Sequence, residues 1–108
     1  MKLTSFDGGL PAARVTGAES MIIAQCLASA AAGEIDALYD LGVIYSTGSH
    51  GAGYDLVEAH KWFNLAASRG HEEAAWCRAD ISDEMTAREI AEAQRRARDW
   101  LLAERRVA

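Results

Sequence analysis

Two stretches decide the fold: Asp36-Ala37-Leu38-Tyr39-Asp40-Leu41-Gly42-Val43-Ile44-Tyr45-Ser46-Thr47-Gly48, and Asp55-Leu56-Val57-Glu58-Ala59-His60-Lys61-Trp62-Phe63-Asn64-Leu65-Ala66-Ala67-Ser68-Arg69-Gly70. In the second, Ala59, Trp62, Phe63, Ala66 and Ala67 recur at three- and four-residue spacing, which places them on one face of a helix. Asp55 with Glu58 has the spacing of a capping box at its start, and Gly70 stands where a helix stops. Gly48 closes the first stretch in the same way. Small residues at Gly42, Ala66 and Ala67 let two such helices approach closely. Leu41, Tyr45, Trp62 and Phe63 fill the space between them.

Outward from this pair the same signals recur. Thr16 with Glu19 and Thr86 with Glu89 repeat the capping-box spacing, and Gly33 repeats the terminal glycine. Ile90, Ala93, Ala97, Trp100 and Leu101 form another apolar face. Five helices are expected, over 17–31, 35–47, 56–68, 72–84 and 87–105, behind a loose arm of residues 1–15. Nothing between them alternates with the period of a strand. The only proline, Pro11, lies in the arm, so no helix is interrupted.

Gly33-Glu34-Ile35-Asp36-Ala37 and Gly70-His71-Glu72-Glu73-Ala74 match at a shift of 37 residues, which also pairs Ala30 with Ala67 and Ile44 with Ile81. A period one helical hairpin long marks an α-solenoid. The expected fold is therefore all-α, a short right-handed α-α solenoid of antiparallel helical hairpins. Residues 16–33 form a partial leading repeat, 34–70 a complete repeat and 71–108 a degenerate closing one.

The complete unit, with Ala37, Leu41-Gly42, Tyr45, Gly48, Asp55, Ala59, Trp62-Phe63, Ala66-Ala67, Gly70 and then Ala74, resembles the Sel-1-like repeat, a relative of the tetratricopeptide repeat. The likeness is specific over residues 37–74. The Gly48–Asp55 loop is one residue longer than the family's usual connection, and Ala52 replaces its usual valine. In the second unit Arg78 replaces Leu41 and Ser82 replaces Tyr45, as suits a closing hairpin that meets water. The resemblance implies an adaptor or scaffold that assembles complexes or regulates signalling.

Charge narrows the partners. Eleven basic and sixteen acidic residues leave a net −5, which argues against nucleic acid or an anionic membrane as primary partner. Residues 1–85 hold 5 basic and 12 acidic groups, against 6 and 4 in residues 86–108. That split reads as solvated helix faces. No run of about 18 apolar residues offers a membrane span. Cys26 and Cys77, two distant cysteines, make neither a disulfide framework nor a zinc-site spacing and read as buried thiols of a reducing compartment, the cytoplasm.

Chemical motifs are weak. The glycine-rich segment Gly48–Gly53 lacks the Lys-Ser/Thr of a phosphate loop, and Asp55 places a negative charge at the following helix start. His50, His60 and His71 have no metal-ligand spacing. No catalytic residue, metal or cofactor is expected, and the chain reads as a non-enzyme. Mapped onto a tetratricopeptide-type hairpin, the groove is lined by Asp36, Tyr39, Val43, Ser46 and Thr47, then Glu73, Trp76, Asp80, Asp83 and Glu84. Tyr39 and Trp76 occupy equivalent repeat positions. They either line an acidic trough or tuck into neighbouring hairpins. The expected function is a protein-interaction module that binds a basic or aromatic segment of a partner protein; the alternative is a structural self-association module, such as a homodimer.

Overall fold

The computed structural model describes residues 17–107, with side chains described from 21 to 105. The Thr16–Glu19 capping box and the 1–15 arm lie outside the described residues. Five helices follow one another: α1 (Gly17–Ala31), α2 (Ile35–Thr47), α3 (Leu56–Ser68), α4 (Glu72–Ser82) and α5 (Ala87–Val107), with a 3-10 turn at Ser49–Gly51 between α2 and α3. The chain is all-α, with no strand among the described residues.

The helix ends explain the element order. At Gly33 (φ 93°) the Glu34 N–H donates to the Ser29 carbonyl and the Gly33 N–H to Ala30, each at 3.0 Å. At Gly70 (φ 97°) the His71 N–H donates to Ala66 (3.1 Å) and the Gly70 N–H to Ala67 (3.0 Å). This is one Schellman cap made twice, 37 residues apart, and it needs a left-handed residue that glycine supplies without strain. Thr86 and Glu89 make a full capping box: the Thr86 N–H donates to Glu89 Oε1 (2.8 Å) and the Glu89 N–H to Thr86 Oγ1 (3.1 Å).

The Asp55–Glu58 box is only half made. Asp55 Oδ1 accepts from the Glu58 N–H (3.1 Å), but the Asp55 N–H donates to the Tyr45 carbonyl (2.9 Å). Glu58 is drawn away by Trp62 one turn on and by a tertiary partner, Arg96. Its carboxylate accepts from Trp62 Nε1 (3.2 Å) and from Arg96 of α5 (2.7 Å). Two helix ends also differ from expectation. The fourth helix stops at Ser82, two residues early, because the N–H groups of Asp83, Glu84 and Met85 turn to carbonyls three residues back. The fifth runs on to Val107, since no glycine or proline follows Arg105 to stop it.

Packing is tightest between α2 and α3. Gly42 lies flat against the Phe63 ring, where a Cβ would overlap the ring carbons. Leu38, Leu41, Trp62 and Phe63 are essentially fully buried, with Ala59 and Ala66 completing the seam. Each such side chain contributes about 1.5–3 kcal/mol of burial. On the far side of α3 lies α5, seated through Ala93 and Ala97. There the Trp100 ring meets Trp62 edge-on at 4.8 Å, and Lys61 Nζ lies 4.2 Å above the Trp62 ring. Arg69, at the C-terminal end of α3, donates to Glu104 of α5 (3.1 Å) and to the Gly33 carbonyl (3.4 Å).

The second unit packs differently. α4 rests on α3, touches α2 lightly, and buries only Ala74 fully. Arg78, in Leu41's repeat position, is half-buried and donates to Asn64 Oδ1 (2.6 Å), while the Ser82 hydroxyl returns to the Arg78 carbonyl. α5 sits on α3 and leaves the outer flank of α4 uncovered.

Candidate interaction surface

Residues that share a role in the repeat part company in space. Tyr39 is half-buried: its ring stacks on His71 at 4.4 Å and 12°, and meets Phe63 at 5.8 Å. Burial raises its hydroxyl pKa, and the neighbouring Cys77 and Glu73 add to the rise. Tyr39 is thus covered by the start of α4. Trp76, at the same position one repeat later, is 74% exposed.

His71 holds this junction. Its Nδ1 accepts from the Ala74 N–H at 3.0 Å and caps α4, while Nε2 lies 3.8 Å from Asp36 at the start of α2. Weighed from sequence only as a metal ligand, His71 is here a helix cap. The available signal was its place just before Glu72, the cap position of the helix. Glu34, its counterpart 37 residues earlier, makes no side-chain cap bond.

The expected groove therefore divides. On α2, Asp36 is exposed, and Val43 is half-buried beside a cavity of about 350 Å³ that also touches Ile22, Cys26, Tyr39 and His50. Ser46 is half-buried; its hydroxyl and that of exposed Thr47 are engaged by the Val43 carbonyl, at 3.1 and 2.8 Å. On α4, Glu73, Trp76 and Asp80 are all exposed, and Asp83 and Glu84 beyond its end are exposed too. Spacings of three and four residues put Glu73, Trp76 and Asp80 along one side of that helix, and the cap residue Asp83 continues the line. Among the described residues Glu73, Asp80 and Asp83 form no ion pair with a basic group. An unshielded indole between unpaired carboxylates suits a guanidinium or ammonium group, which the ring face and the acids attract together.

Other polar groups are absorbed by packing. Burial raises the pKa of both thiols, and Asp40 raises that of Cys26 further, so neither is activated. His60 is 3% exposed with an unpartnered Nδ1; burial, then Arg78, lowers its pKa. The Gly48–Gly53 segment is a closed turn, with the Ala52 N–H on the Ser49 carbonyl (3.1 Å) and His50 left-handed at φ 54°. Among the described residues no three His, Cys, Asp or Glu side chains gather as a metal site. No described helix is long and apolar enough to cross a membrane.

Two further apolar surfaces lie outside the expected groove, and Leu101, expected on the packed face of the fifth helix, is on one of them. α1 exposes Met21, Ile22 and Leu27, and α5 exposes Leu101 and Leu102 between Arg98 and Arg105. Compared with known proteins, the chain matches no family model, no curated protein and no solved structure.

Proposed function

We propose that this chain is a protein-interaction module, an adaptor or regulatory unit that takes an arginine- or lysine-bearing segment of a partner on the Trp76 face of α4. One observation carries the reading. Tyr39 is covered by His71 of the following unit, whereas its repeat equivalent Trp76 is left open among Glu73, Asp80 and Asp83. A large aromatic ring exposed to this extent is the residue type most often found at binding hot spots. The net −5 of the chain favours the same class of partner.

Membership of the Sel-1-like repeat class belongs to this proposal. The Gly42–Phe63 contact and the twin caps at Gly33 and Gly70 support it. Catalysis is not part of the reading, because the nearby thiols and phenol are all shifted toward their protonated forms.

Titration with an arginine-rich peptide, followed by calorimetry, tests the surface. Binding that weakens with salt and is lost in Trp76→Ala, with the melting temperature unchanged, is the expected result. Full-strength binding by Trp76→Ala would move the working surface elsewhere.

A further inference from the structure

The arginines of α5 fall into two groups. Arg95 and Arg96 are engaged within the chain: Arg95 bridges Glu92 and Asp99, and Arg96 bridges Glu92 and Glu58. Their hydrogen bonds hold the Glu92 carboxyl down at about 2. Arg98 and Arg105 are exposed and form no ion pair among the described residues. With Leu101 (38% exposed) and Leu102 (49%) they follow one another at i, i+3, i+4 and i+7, a single stripe along the helix. The buried face of α5, which carries Ala93 and Ala97, is turned toward α3 and leaves this stripe on its flank.

The uncovered stripe of α4 has the complementary pattern at the same interval. Glu73 and Asp80 are seven residues apart, as are Arg98 and Arg105, which is about 10 Å along a helix in both cases. Trp76 lies between the two acids, as Leu101 and Leu102 lie between the two arginines. α1 also exposes apolar side chains, but residues 21–31 carry no charge to answer Glu73 and Asp80. Within the chain the two stripes are not packed on each other, because α5 is seated on α3.

We propose that the occupant of the Trp76 face is α5 of a second copy of this chain. Arg98 and Arg105 pair with Asp80 and Glu73, and Leu101 with Leu102 covers the Trp76 indole. Each copy carries both stripes, so two copies exchange the contact twice and close a symmetric dimer. The inference rests on the reading of α4 as the working surface and names its partner.

Light scattering on the full chain tests it with two charge-reversed variants, Glu73→Arg/Asp80→Arg and Arg98→Glu/Arg105→Glu. The wild-type chain should show twice the monomer mass at low salt and return to monomer as salt rises. Each variant alone should be monomeric, since its stripes then carry like charge, and an equimolar mixture should recover the doubled mass. All four positions are exposed, and circular dichroism confirms that each variant is folded. Wild type that stays monomeric at every concentration would overturn the second-copy occupant. The arginine-rich peptide titration then shows separately whether the α4 surface itself stands. Variants that remain dimeric, or that fail to pair when mixed, would also sink the proposal, as would assemblies that keep growing with concentration.

Discussion

The α2–α3 pair and the α4–α5 segment, whose first helices follow the same glycine cap and match at Ala37/Ala74 and Ile44/Ile81, end in different states. In the first, Leu41, Gly42 and Tyr45 face Trp62, Phe63 and Ala66, and the glycine lets the Phe63 ring lie against the helix backbone. In the second, Arg78, Ala79 and Ser82 stand at the equivalent positions, and Ala79 is exposed. α4 has lost the side chains that would hold a partner helix, and α5 seats its alanine face on α3. Burial makes one unit a core. The other keeps a surface, and the exposed Trp76 falls on it.

The largest effect that could break this comparison comes from Phe63→Ala. It should cost about 3–5 kcal/mol, enough to threaten a domain whose whole stability is of order 5–15. Trp76→Ala, which removes a still larger side chain, should stay within about 0.5 kcal/mol because the ring is already in water. Urea denaturation of both variants checks the contrast, and a Trp76→Ala midpoint as low as that of Phe63→Ala would place Trp76 in the core.

Next in size is a matched pair at one repeat position. Gly42→Leu must displace Phe63 and should cost about 1–3 kcal/mol, whereas Ala79→Leu should be near neutral. For a domain of this length each kcal/mol shifts the melting temperature by about 4–8 °C, so a thermal scan resolves the two. Equal shifts would mean that the two units are packed alike.

A smaller effect depends on pH. His60 has its folded pKa lowered by burial and by Arg78, so the unfolded chain binds its proton more readily. Its neutral form therefore adds stability above the unfolded histidine value of about 6.5. That contribution falls away as pH drops through 6.5 toward the lower folded pKa. His60→Leu should flatten the decline in melting temperature over that window, and an unaltered slope would assign the decline to other groups. The smallest effect is local. Thr86→Ala removes one of the two cap bonds, worth about 1 kcal/mol, and should free the amides at the start of α5 to exchange while those of α2 and α3 stay protected.

Much of this is legible in the sequence. Helix starts and stops are set by short-range hydrogen bonds, so Gly33, Gly48, Gly70 and Thr86 announce them locally. The two boundary differences, at Ser82 and Val107, occur where no such residue stands. The half-made box at Asp55 was hidden for the opposite reason, because Glu58 prefers Arg96, 38 residues away.

The candidate surface was legible only as a list of residues. Asp36, Tyr39, Glu73 and Trp76 follow from repeat position, yet position could not say that His71 would stack on one ring and nothing described on the other. By itself, then, the sequence determined five helices and the caps at Gly33, Gly48, Gly70 and Thr86, since each depends on neighbours at fixed spacing along the chain, whereas the meeting of Gly42 with the Phe63 ring is tertiary. Only the tertiary structure decided that α5 turns to α3, that Tyr39 is covered and that Trp76 is open. Those outcomes hang on competition among distant apolar faces, and the α3 surface that buries Ala93, Ala97 and Trp62 offered α5 more than the polar flank of α4.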